Sequence, residues 1–149
     1  MSLMSIFDIS GSAMSAQSIR LNATASNMAN ANSAAGSADA VYKARYPVFS
    51  AVQSALAGGG AIDPFAMQAP DSGKGVQVLG MLESGAPLQP RYEPEHPLAD
   101  ADGYVFYPNV NVVEEMTNMI SSSRSFQANV DVMSAARTMM QRVLSLGQM

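Results

Sequence analysis

Residues 110–147 repeat apolar side chains at alternating intervals of four and three. The row is Val112, Met116, Met119, Ser123, Phe126, Val130, Met133, Arg137, Met140, Leu144 and Gly147, and eight of its eleven positions are apolar. Sustained over five heptads, the spacing predicts one long helix with a coiled-coil seam. No proline interrupts it; Pro108 precedes it, and Asn111 stands where a cap is needed, with Glu114 three positions on. Glu114 and Glu115 fall in the first turn and Arg137 and Arg142 toward the end, matching the helix dipole. About 36 residues make a rod of roughly 54 Å. That is too long for the core of a compact domain this size, so the helix is expected to lie along another, from this chain or a second one.

A second helical pattern opens the chain. Phe7, Met14, Leu21 and Met28 recur every seven residues, and Ile9, Ala16 and Ala23 form a second row nearly opposite. Two apolar rows predict contacts on more than one face. Ser5-Ile6-Phe7-Asp8 has the form of a capping box. The segment ends in "ASNMANANSAAG", residues 25–36, where asparagines stand among alanines. Asparagine competes for backbone hydrogen bonds and tolerates the left-handed conformation. Asn30 and Asn32 are therefore expected to end the helix, with Gly36 continuing the turn. Asn27 lies too early to be a stop.

The middle differs in texture. Residues 34–109 hold all eight prolines and most of the glycines. "VYKARYPVFSAV" (41–52) and "GVQVLGML" (75–82) read as strands, while Gly58–Gly60 and 69–75 read as turns or flexible pieces. "YEPEHPLADADGYVFYP" (92–108) reads as extended, with a tight turn at Asp102-Gly103. The division is thus 1–33, N-terminal helix; 34–109, irregular β-containing middle; and 110–149, C-terminal helix. The fold class is mainly α with a small β or irregular middle, the two long helices packing as a coiled-coil-like pair.

Composition sharpens this picture. Of 149 residues only 13% are charged while 48% are apolar, including 12 methionines. Soluble domains average about 25% charge, so even the outward faces of these helices are expected to be covered. The terminal segments are then expected to take their shape by packing on neighbours. A net charge of −4 argues against nucleic acid as a partner. There is no cysteine, hence no disulfide, thiolate nucleophile or cysteine metal site. The first ten residues lack the basic start and apolar core of a secretory signal, and no stretch approaches the ~18–20 apolar residues of a membrane span.

Candidate chemistry is sparse. His96, the single histidine, stands with Glu93, Glu95, Asp100 and Asp102. Asp100-x-Asp102-Gly103 resembles part of a calcium loop, but neither register puts glycine sixth with acids at the first and twelfth positions. The cluster reads as a structural loop in which His96 hydrogen-bonds beside Pro97. Gly73-Lys74-Gly75 lacks the frame of a phosphate loop, and no serine nucleophile has a histidine at hand. Catalytic residues, cofactors, metals and small-molecule substrates are therefore expected to be absent. The methionines at 116, 119, 133 and 140 suit either a core or an adaptable surface between chains.

These same residues carry a family likeness. "SAQSIRLNATASNMANANS" with its Ala-Asn-Ala-Asn at 29–32, and "PNVNVVEEMTNMISSSRSFQAN" at 108–129, resemble the flagellar basal-body rod proteins, most closely the proximal-rod members; residues 92–108 look like the same members' linker. Ser26 stands where a second asparagine is common, Ser33 where threonine is usual, and residues 50–74 match poorly. The resemblance implies flagellar axial architecture and a subunit exported through the flagellar type III apparatus without a cleaved signal. It implies a hollow, periplasm-spanning drive shaft, with other copies, other proximal and distal rod proteins and the basal-body adaptor as partners. It places Asn27, Asn30 and Asn32 at a join where their amides are expected to hydrogen-bond between chains. The expected assembly interface is Phe7, Met14, Leu21, Asn27, Met28, Asn30, Asn32, Val112, Met116, Met119, Phe126, Val130, Met133, Met140 and Leu144. A second reading is a soluble helical binding module or export chaperone packing on a partner helix. A membrane-active helix is disfavoured, since neither helix has a polar face rich in lysine and arginine.

Overall fold

The computed structural model describes residues 3–52 and 75–146. Helix α1 spans Leu3–Asn30; strands β1 (Arg45–Ala51) and β2 (Val76–Glu83) follow, then β3 (Gln89–Tyr92) and β4 (Tyr104–Tyr107), and helix α2 (Val112–Leu146) closes the described chain. Two helices and two small two-stranded antiparallel sheets, β1–β2 and β3–β4, make up the architecture. At 1.5 Å per residue the helices are about 42 and 52 Å long. None is long and apolar enough to cross a membrane.

The helices pack on each other within one chain. Small side chains line the contact: Ala16, Ala23 and Ala31 of α1 and its junction are buried, as are Ser122 and Ala136 of α2. Short side chains let helix axes approach closely. Part of the surface expected to need a neighbour is thus covered at home. Several polar side chains bond within their own helix. Ser12 donates to the carbonyl of Ile9, Ser18 to Met14, Asn129 to Ser125 and Thr138 to Ser134. Such back-bonding lets serine, threonine and asparagine sit in a helix without seeking partners elsewhere.

Three terminal details differ in part from the sequence reading. Helix α1 already begins at Leu3, so Ser5 lies inside it and is not the cap. Asn30 ends α1 as expected, its side chain donating to the Ser26 carbonyl while Ser33 bonds its own carbonyl through both N–H and hydroxyl. No non-glycine takes positive φ among the described residues, so the asparagines do not use the left-handed conformation. At α2 the reading holds: Asn111 Oδ1 accepts from the N–H of Val113 at 3.1 Å and of Glu114 at 3.4 Å.

Strands β1 and β2 fall on the two segments read as strands, while the β3–β4 pair adds a strand at Gln89–Tyr92 that the sequence reading did not expect. Val48 pairs with Gly80 and Phe49 with Val78, leaving Leu79 as an extra residue in β2. That bulge twists the hairpin and re-aims its side chains. Gly75, at φ +128°, lies against Ile9 and Ser12 of α1, and the Ser12 hydroxyl accepts from the N–H of Val76 at 3.1 Å, tying the hairpin to the helix. In the connection from β3 to β4, Gly103 (φ +80°) makes the turn expected at Asp102-Gly103, and Asp100 Oδ1 accepts from the N–H groups of Asp102 and Tyr104. His96 Nδ1 accepts from the Leu98 N–H at 3.2 Å, the structural bond expected beside Pro97. The turns assigned to Gly58–Gly60 and to most of 69–75 lie outside the described residues.

The apolar centre is small. Ala31, Ala44 and Val110 cluster under Tyr42, where α1 ends and α2 begins. Ala35 joins β4 through a reciprocal pair of backbone hydrogen bonds with Phe106. The chain is therefore gathered at one end, the end at which the asparagine-rich segment lies.

Candidate assembly site

Asn27 is the residue around which that end is built. It is fully buried. Its Oδ1 accepts from the Arg45 N–H and the Tyr42 hydroxyl, both at 2.9 Å. Its Nδ2 donates to the Arg45 carbonyl at 3.0 Å and to Glu115 Oε1 at 3.2 Å. An amide side chain offers two donors and two acceptor sites, and all four are used. Toward Arg45 the side chain acts as one rung of a β-ladder; toward Tyr42 and Glu115 it bridges the linker and α2. This is why an alanine-rich helix carries an asparagine one turn before its end. The finding corrects one expectation: the Asn27 amide is held inside the chain and has nothing left to offer a neighbour. Asn30 also bonds within its own helix, and Asn32 is exposed.

Glu115 is the other half of the junction. It is 1% exposed, the largest fully buried side chain of the described residues. It sits in the first turn of α2, where unpaired N–H groups favour a carboxylate. Asn27 satisfies Oε1, while Oε2 is buried without a hydrogen-bond partner among the described residues. Tyr46 also interacts with this carboxylate. Burial first, and Glu115 second, push the Tyr46 hydroxyl from its ordinary 10.0 up to about 12. A folded pKa above the unfolded one means stability that is intact below pH 10 and lost as pH rises toward 12. Melting temperatures of wild type and Tyr46→Phe are therefore expected to converge across that window, the variant lacking this part of the alkaline loss.

From the hub, contacts run outward. Arg45 stands over the Tyr42 ring at 5.8 Å and forms a forked ion pair with Glu83, 2.9 Å at its closest. Asn109 makes a second bridge: its Oδ1 accepts from the Ala44 N–H at 2.9 Å, and its Nδ2 donates to the carbonyls of Ser84 and Ala86 at 3.2 and 2.8 Å. Asn109→Ala leaves three backbone groups without that partner and is expected to cost about 1–3 kcal/mol in urea unfolding.

The sequence reading missed Tyr42, Asn109 and Glu115. Signals for two of them were present. Asn109 and Asn111 flank Val110, and a cap needs only one. Glu115 is a second acid in a first turn that Glu114 already serves. Tyr42 had no distinguishing pattern.

The expected seam on α2 divides in two. Met119, Phe126, Met133 and Met140 are half-buried, on the side of the helix that carries Glu115, Ser122 and Ala136. The inward row is thus 115, 119, 122, 126, 129, 133, 136 and 140, half of it polar or small. Val112, Met116 and Leu144, placed in the seam with them, are exposed at 40%, 50% and 63%; Val130 is half-buried. Val113 and Ile120 are exposed on the same flank of α2 as Val112 and Met116, while Val132, Met139, Val143 and Leu146 are exposed on the opposite flank. On α1, Phe7, Met14, Leu21 and Met28 are all half-buried, while the opposite row at Ala16 and Ala23 is buried. Large apolar side chains left uncovered in this way mark interaction sites.

Both ends of this arrangement match known families. A model described as flagella basal body rod protein matches residues 7–36, and one described as flagellar basal body rod FlgEFG protein C-terminal matches residues 101–146. The chain belongs to the flagellar basal-body rod proteins. It is 47% identical over 148 residues to the flagellar basal-body rod protein FlgC of Salmonella typhimurium, covering 99% of this chain and 100% of that one. Against the protein of the same name from Escherichia coli O157:H7 the identity is 47% over 150 residues, with the same coverage. Against that of Borreliella burgdorferi it is 32% over 155 residues, covering 99% of each.

Proposed function

We propose that the chain is a structural subunit of the proximal rod of the bacterial flagellum, part of the hollow shaft that transmits torque and passes exported subunits. The observation that carries this reading is the pairing of the two family-matched segments. Residues 7–36 and 101–146 meet at the Asn27–Glu115 junction, which leaves apolar side chains exposed on both flanks of α2. Unlike surfaces meeting head to tail build an open helix where the rotation between neighbours does not close into a ring. Dense side-by-side helix packing makes such a tube stiff. Each apolar side chain buried on assembly contributes about 1.5–3 kcal/mol, which offsets the ordering of the helices.

On this reading α1 and α2 pack as a coiled-coil-like pair that neighbours extend. The contacts come from Phe7, Met14, Leu21, Met28, Asn30 and Asn32 on one helix and its end. On the other they come from Val112, Met116, Met119, Phe126, Val130, Met133, Met140 and Leu144. The partners are further copies, other proximal and distal rod proteins and the basal-body adaptor. The chain reaches its place across the periplasm through the flagellar type III apparatus, without a cleaved signal, and catalyses nothing. Deletion of the gene tests this: basal bodies should keep their membrane-embedded parts and lack rods. Rods of normal length in the deletion strain would overturn the reading.

A further inference from the structure

Arg20 is the one basic residue of α1, and the rod reading gives it no role. It is half-buried. Its guanidinium makes a single hydrogen bond among the described residues, from Nη2 to Asn118 Oδ1 at 3.1 Å. Among the described residues no carboxylate pairs with it, and the one ion pair is Arg45–Glu83. Its position is a cleft of about 280 Å³ where α1, β1 and α2 meet, walled by Ala23, Thr24, Tyr46, Phe49 and Asn118. Arg20 is the one charged side chain that lines the cleft; the remaining walls are apolar, aromatic or neutral polar, with Glu115 and Glu114 acting on Tyr46.

A guanidinium offers five donors in a planar fork matched to a carboxylate. Tyr46 and Phe49 are partly exposed, and a neighbour packed over them would exclude water and strengthen such a pair. A half-buried arginine whose one hydrogen bond among the described residues goes to an amide has fork donors to offer a carboxylate. The chain itself supplies the complementary chemistry in excess: twelve acids stand against eight bases. Asp8 and Glu114 are exposed helical acids with no ion-pair partner in the described chain.

We infer that the Arg20 cleft receives a carboxylate side chain from a second copy of this chain, so that lateral assembly inserts an acidic residue between α1 and β1. The inference rests on the rod reading and adds a charge-specific contact to its apolar ones. Such a contact fixes the register in which otherwise featureless apolar surfaces meet, because a misplaced neighbour leaves the guanidinium unpaired.

The test is charge reversal in the flagellated bacterium. Arg20→Glu is expected to reduce rod-bearing basal bodies by about tenfold or more, the scale of breaking one desolvated charge pair. Exposed acids, beginning with Asp8 and Glu114, are then changed to lysine one at a time in the Arg20→Glu background. One is expected to restore rods, which loss of an internal packing role would not allow. Because the chain has no cysteine, the contact can be trapped. Cysteines at Phe49, on the cleft rim, and at the restoring position should give a disulfide-linked dimer on oxidation. Normal rods in Arg20→Glu would overturn the inference. So would an internal disulfide in place of the dimer, restoration by an acid of another rod protein alone, or restoration by none. If rods persist when the whole gene is deleted, the rod reading itself fails; if they persist only in Arg20→Glu, the cleft alone fails.

Discussion

Asn27→Asp is expected to lower the unfolding free energy by about 3–5 kcal/mol, the scale of an uncompensated buried charge. The replacement is nearly isosteric, so packing is unchanged. Its chemistry is not. The Nδ2 atom that donates to the Arg45 carbonyl and to Glu115 Oε1 becomes a second acceptor. Two carboxylates then face each other at the 3.2 Å of the present hydrogen bond, in a site without solvent. Urea unfolding of the purified chain reads the loss, and basal bodies from the same strain should lack rods. Adding Glu115→Gln supplies a donor toward the introduced carboxylate and should recover part of the loss. It cannot recover all of it, because the Arg45 carbonyl still faces an acceptor. A variant as stable as wild type would mean that Asn27 is not a satisfied buried hub.

The second large effect separates the two faces of α2. Met119 is half-buried beside Glu115 and Ser122; Met116 is half exposed on the outward side. Met119→Asp buries an unpaired charge against α1 and is expected to cost the isolated chain several kcal/mol, with rods lost as a consequence. Met116→Asp is expected to change the isolated chain by no more than about 0.5 kcal/mol, as surface substitutions do. It should nonetheless abolish rods, because the charge then lies in an apolar contact between subunits. Unfolding curves and rod counts for the two variants should therefore dissociate. Equal destabilisation of both would show that Met116 belongs to the chain's own core. Normal rods in Met116→Asp would show that the outward face is not where neighbours dock.

These two experiments follow the boundary between what was legible in the residues and what was not. The long helix, its Asn111 cap, the two strands flanking the middle and the turn at Asp102-Gly103 all depend on local rules. Capping needs a side-chain oxygen next to unpaired N–H groups, and a tight turn needs a glycine that can take positive φ. Ser5 shows the limit even of local rules, since a serine followed by an acid three residues on was overtaken by a helix that starts earlier.

The α2 seam shows the limit of periodicity. Rows 112, 116, 119, 123, 126 and 115, 119, 122, 126, 129 both alternate fours and threes and share Met119 and Phe126. The choice between them turns the helix by part of a turn. Apolarity favours the first row, and the chain uses the second for its inner contact. Small residues are buried on both helices, Ala16 and Ala23 on α1 and Ser122 and Ala136 on α2, and short side chains let helix axes approach closely. Val112 and Met116 are left outside.

Residue by residue, then, the order of amino acids determined where this protein is helical, where it turns, and that it offers more apolar surface than one chain can cover. Only the tertiary structure decided that Asn27 points inward to join Arg45, Tyr42 and Glu115, and which methionines remain exposed. Capping and turn formation are settled by atoms a few residues apart. The direction of a helical face, and the partner of a buried amide, depend on groups 15 to 88 positions away along the chain, which local patterns do not encode.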